Sequence, residues 1–179
     1  YGQNTPGKDW KGLTITRDYR ELLADKEVDA VLIATPDHWH GEPTILAARA
    51  KKHVYCEKPI SLTIKEGRAM VQAVNENKVV FQTGSQQRTE FGGKFRKTVE
   101  LIRSGAIGEI KKIRVCVGDP PKPCDLPTEK TPGGIDWDAW QGPAPVRGYN
   151  KALCPDNVHN HFPRWRAYTE YCNGYLADM

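Results

Sequence analysis

A lysine held between a carboxylate and a proline, Glu57-Lys58-Pro59, closes the short apolar run Val54-Tyr55-Cys56. Burying an ammonium is costly unless it is paired or used. The placement is therefore poor for packing and good for proton transfer, with Lys58 able to stabilise a developing alkoxide. A plain surface lysine at a strand end is the competing reading, and it leaves the motif and its position unconnected.

Other residues invite a metal. His38 and His40 have H-x-H spacing, and Cys154, His159 and His161 form a second small group. Alternate residues on a strand project to opposite faces, and no carboxylate-rich companion set with zinc spacing accompanies either group, so no metal is expected. His159, His161 and Arg164 read either as contacts to a polar substrate or as loop-stabilising groups. Trp137, Trp140, Tyr149, Phe162, Trp165, Tyr168 and Tyr171 read mostly as core, with one or two free to stack on a sugar face.

The elements that must position Lys58 alternate between strand and helix. Tyr19, Leu22 and Leu23 share a helical face, and residues 28–34 form a continuous apolar run of the kind buried on both faces of a parallel sheet. Pro43 starts a helix that ends near Lys51-Lys52, where cations suit the carbonyl end. The strand at 54–56 follows. Thr63 and Glu66 have capping-box spacing for the next helix, and 79–83 reads as a third strand. A helix over 95–103 closes at Gly105. Beyond Gly108 the pattern becomes strict alternation, with Ile113, Val115 and Val117 facing one way, which predicts a half-exposed antiparallel strand. The stretch from 118 to 145, rich in proline and glycine, reads as a long surface excursion.

This order predicts an α/β fold: a partial Rossmann-type doubly wound parallel sheet over 1–108, followed over 109–179 by the start of an α+β domain with a mostly antiparallel sheet. Ligands of such sheets sit beyond the carboxyl ends of the strands. Those ends here are Thr35-Pro36-Asp37-His38, Glu57-Lys58-Pro59 and Thr83 to Arg88, all polar and turn-forming. No G-x-G-x-x-G occurs, so the β-α-β unit that holds a pyrophosphate at a helix N-terminus is not expected in this chain.

Three segments make the chain resemble the Gfo/Idh/MocA oxidoreductases: Ala34-Thr35-Pro36 with His40 four residues on, Lys52 to Pro59, and Gly174-Tyr175-Leu176-Ala177-Asp178. The turn Ser104 to Ile110 is similar to that family's junction between its two domains. The resemblance implies an NAD or NADP cofactor across the strand ends, bound by Thr35, Pro36, His40, Glu57 and Gln86. It also implies Lys58 and Asp178 as catalytic residues, with Lys58 beside the substrate hydroxyl or carbonyl; His161 and Arg164 are candidate substrate contacts from their residue types alone. The aspartate begins the family's Asp-x-x-x-His element, whose histidine lies past Met179. The activity implied is hydride transfer between the nicotinamide and a secondary alcohol of a sugar, polyol or related carbohydrate. The alternatives are NAD-assisted glycoside cleavage through transient oxidation and elimination, and a non-catalytic member that only binds.

Composition narrows the partners. Apolar residues make up 39% of the 179 and charged residues 27%, as expected for a folded, water-soluble protein. The net charge of +4 comes from interleaved acids and bases with no basic tract, so no nucleic acid is expected. No run reaches the roughly 18 apolar residues that span a bilayer, so no membrane partner is expected. The five cysteines at irregular spacings read as scattered thiols rather than a disulfide framework. Tyr1 and Met179 read as cut ends. The full-length protein is expected to be a homo-oligomer, cytoplasmic or, with an export signal, periplasmic.

Overall fold

The computed structural model describes residues 14–155 and 163–178. Three parallel strands, β1 (Ala30–Ile33), β2 (His53–Glu57) and β3 (Phe81–Gly84), pair in the order β1-β2-β3. The register places Val31 beside Val54 and Val54 beside Phe81, while Ile33, Cys56 and Thr83 form the next row. Between the strands run α2 (Gly41–Arg49) and α3 (Ile64–Asn77), and α1 (Tyr19–Ala24) precedes β1. This is the β-α-β-α-β order read from the sequence.

One face of this sheet is packed. Ile33, Val54 and Cys56 are buried with Ala47 of α2, and Leu23, Val31 and Phe81 close around them. Small alanines on α2 bring its backbone close to the strands, and Ala47 and Ala48 are fully buried. The other face is open: Leu32 is 68% exposed. The expectation that the 28–34 run is covered on both sides therefore fails, because among the described residues no helix packs over Leu32 and β1 forms the sheet edge.

Helix α3 starts where its local chemistry directs. Thr63 Oγ1 accepts from the Glu66 backbone N–H at 3.1 Å, and the Glu66 carboxylate accepts from the Thr63 N–H at 2.9 Å. Helix α4 (Lys94–Arg103) follows a turn at Gln86–Arg88 and buries none of its residues.

A second core forms beyond residue 120. Trp137, Tyr149, Leu153, Trp165, Tyr168, Tyr171 and Cys172 are buried together around α5 (Trp137–Gln141). Two sequence expectations are corrected here. The 118–145 stretch is not merely a surface excursion, since Trp137 and Ala144 belong to this core and Cys124, Leu126 and Ile135 pack against it. The alternating segment ending at Val117 forms no ladder among the described residues; Ile113 and Val115 are 76% and 75% exposed. Alternation supplies a face for a sheet but not the neighbouring strand whose backbone groups must complete it. In place of the expected antiparallel sheet the described residues show one isolated bridge, Lys122 to Tyr168.

Candidate functional site

The three strand ends line one rim. After β1 the chain turns through Thr35 and Pro36 into a short turn of 3-10 helix, Asp37–Trp39, that runs directly into α2. Thr35 is exposed and Pro36 half-buried, whereas Asp37, His38 and His40 are buried. His40 ring nitrogens lie 2.6 Å from the Pro59 carbonyl and 2.8 Å from the Thr35 carbonyl. With both nitrogens facing backbone, His40 ties the end of β1 to the proline after Lys58 and stands beneath the rim, not open on it. His38 and His40 sit on a helical turn, not on a strand as expected, and point into different surroundings.

His38 joins the two cores. Its Nε2 donates to the Trp140 carbonyl at 2.9 Å, and Trp39 Nε1 donates to the same oxygen at 2.9 Å. Its ring centroid lies 5.1 Å from those of Trp140 and Tyr171. Burial pushes the imidazole down to about 4. Burial pushes the Asp37 carboxyl up, opposed by a hydrogen bond from the Cys172 thiol, itself pushed up to about 12 by burial. Cys172 Sγ in turn accepts from the Gly174 N–H at 3.2 Å, at the turn that opens α6 (Tyr175–Asp178).

That turn delivers Asp178 to Lys58. The ammonium donates to the Asp178 backbone carbonyl at 2.5 Å and lies 3.1 Å from its Oδ1. The lysine side chain keeps 34% of its surface exposed and the aspartate 4%. Both line a cavity of about 330 Å³ with Thr83, Ser85, Gln86 and Arg88. A buried acid holding a part-exposed ammonium at a cavity wall is an arrangement for presenting positive charge to a ligand oxygen.

Glu57 occupies the next position on the rim. Gln86 Nε2 donates to its Oε1, and a Cβ at Gly84 would stand 2.8 Å from its Oε2. Only glycine at the end of β3 leaves room for this carboxylate. A second cavity, of about 590 Å³, lies along β1 and is lined by Tyr19, Leu32, Ala34, Thr35, Trp39 and Pro43. Together the exposed Thr35, the positioned Glu57 carboxylate and the cavity along β1 fit a nicotinamide cofactor lying over the strand ends, with the Lys58–Asp178 cavity beside it.

Residues 7–85 match the model of an oxidoreductase family with an NAD-binding Rossmann fold. Those residues belong to the Gfo/Idh/MocA family. The chain is 37% identical over 123 residues to the myo-inositol 2-dehydrogenase of Thermotoga maritima, covering 68% of this chain and 36% of that protein. It is 44% identical over 89 residues to the 2,7-anhydro-N-acetylneuraminate hydratase of Escherichia coli, covering 50% of this chain and 23% of that one. A solved NAD-binding protein from Listeria innocua superposes with a TM-score of 0.50 at 38% identity, over 55% of this chain and 28% of its own. The chain thus spans about a third or less of the curated relatives it matches.

Within this Gfo/Idh/MocA frame, the residues expected from the sequence separate into groups. Lys58, Asp178 and Gln86 line one cavity, Thr35 lines the other, and Glu57 is held by Gln86. Pro36 follows Thr35 in the turn after β1. Arg164 is exposed and lines neither cavity, and His161, with His159 and Phe162, lies outside the described residues. Reading the sequence missed Asp37, His38 and Cys172 as the links that join the turn after β1 to the second core and to the turn before Asp178. The one visible signal was the unusual density of polar and aromatic groups in Asp37-His38-Trp39-His40. Among the described residues no helix is long and apolar enough to cross a membrane.

Proposed function

We propose that the protein is an NAD(P)-dependent oxidoreductase that moves hydride between the nicotinamide and a secondary alcohol of a sugar or polyol. The observation that carries this is the Lys58–Asp178 pair at the wall of the strand-end cavity, inside a family whose fold binds NAD. Thr35, Pro36, Glu57 and Gln86 would hold the cofactor, and its nicotinamide would accept the hydride. Lys58 donates a hydrogen bond to the alcohol oxygen and stabilises the alkoxide as the hydroxyl proton passes to a general base, the role that the family resemblance gives to the histidine of the Asp-x-x-x-His element. Asp178 fixes the ammonium in place. His40 holds the β1 end and Pro59 in register, so that both sides of the rim stay aligned.

The named myo-inositol dehydrogenase relative supports polyol oxidation. The hydratase relative favours a second reading, in which bound NAD oxidises the substrate transiently and is regenerated. Incubating the full-length protein with NAD or NADP and a panel of inositols, pyranoses and anhydrosugars separates the two. Stoichiometric NADH with a ketone product supports the dehydrogenase. Product without net NADH supports the transient-oxidation reading. Neither outcome, with cofactor bound, would sink both.

A further inference from the structure

We propose that the substrate of the Lys58–Asp178 cavity carries an anionic group, a carboxylate or a phosphate, and that Arg88 selects it. This rests on the reading of that cavity as the substrate site.

Three ionic side chains line the cavity: Lys58, Arg88 and Asp178. Asp178 answers the charge of Lys58 at 3.1 Å. Arg88 makes no ion pair and no side-chain hydrogen bond among the described residues, so the wall carries one positive charge more than it balances. Two other carboxylates stand nearby and neither engages it. Glu57 is committed to Gln86 and lies against Gly84. Glu90 shares a neighbouring depression with Arg88 but is not within ion-pair distance.

The guanidinium is carried on a fixed backbone. It is the last residue of the Gln86–Arg88 turn, whose N–H donates to the Ser85 carbonyl, and the turn is closed by Thr89 and Glu90 N–H groups on the Gln86 carbonyl at 2.9 and 2.8 Å. A planar fork of donors on such a base suits a carboxylate or phosphate, which it grips through two parallel hydrogen bonds, far better than a lone hydroxyl. The rest of the lining, Thr83, Ser85 and Gln87 among it, offers the hydroxyl and amide groups a sugar needs. A volume of about 330 Å³ suits one sugar ring with its acid group. Uronic acids, aldonic acids and sugar phosphates are the matching classes.

An anion at Arg88 could come from the substrate or from the cofactor pyrophosphate, and the test separates them. Calorimetric titration of the full-length protein, saturated with NADH, would compare glucuronate, galacturonate and glucose 6-phosphate with glucose and galactose. At least one of the acids is expected to bind tenfold or more tightly than its neutral parent. Arg88→Gln is expected to remove that preference, and Arg88→Lys to restore only part of it, with NADH affinity unchanged in both. Equal affinity for acids and neutral sugars in the wild type would overturn the proposal. So would a loss of NADH affinity in Arg88→Gln, which would assign the anion to the cofactor. Failure of the wild type to bind NADH at all would instead overturn the reading on which the proposal rests.

Discussion

The Lys58 ammonium and Asp178, 120 residues further along the chain, meet twice: at the carboxylate and at the backbone carbonyl. The double contact fixes the lysine at the cavity wall and also anchors α6 to the end of β2. Asp178→Asn keeps the shape and the backbone contact while removing the charge. Because the acid is buried and the lysine one-third exposed, we expect a loss of about 1 to 2 kcal/mol in urea unfolding, between the values for exposed and buried pairs. Turnover should fall by about 100-fold, as for loss of a charge-positioning group. An unchanged midpoint together with unchanged turnover would show the pair to be incidental.

His38 sets a pH dependence. Its imidazole ordinarily titrates near 6.5 and is pushed down to about 4 in the folded protein. The unfolded chain therefore binds a proton that the folded chain refuses between those values. Stability should be level in this respect above pH 6.5 and fall as the pH is lowered toward 4, by about 3 kcal/mol in all. Melting temperature against pH, compared between wild type and His38→Gln, checks this. The variant should lose part of the slope between pH 6.5 and 4, and an identical slope would remove His38 from the account.

Gly142 lets the two cores meet. Its φ is +48°, and a Cβ there would stand 1.9 Å from Trp39 Cζ2. Gly142→Ala should cost about 2 to 4 kcal/mol, combining left-handed strain with overpacking. Gly133→Ala, where a Cβ meets nothing within 4 Å, should cost little. Equal behaviour of the two variants in thermal unfolding would mean that Trp39 does not seat against the end of α5.

What the sequence made legible is what local chemistry determines. The capping box of α3 is a contact between residues three apart, and each strand read from its apolar run is present within a residue or two. Glu57-Lys58-Pro59 carried its meaning because the strand before it fixed where it would lie. The links that hold the site together are of another kind. His38 reaches Trp140 across 102 residues, and neither residue bears a spacing that announces the other. The exposed face of Leu32 and the unpaired alternation at Ile113 and Val115 fail for one reason. A periodicity states which side chains seek cover, while the covering element belongs to distant chain.

The most direct measurement follows the transferred hydrogen. The full-length protein would be incubated with NAD and with sugars and polyols deuterated at their carbinol carbons, and the cofactor recovered for mass spectrometry. Deuterium on the reduced nicotinamide in the wild type, lowered by about 100-fold or more in Lys58→Ala with cofactor affinity retained, is the expected result. Absence of deuterium transfer from every alcohol despite bound cofactor, or transfer at the same rate without Lys58, would contradict the account.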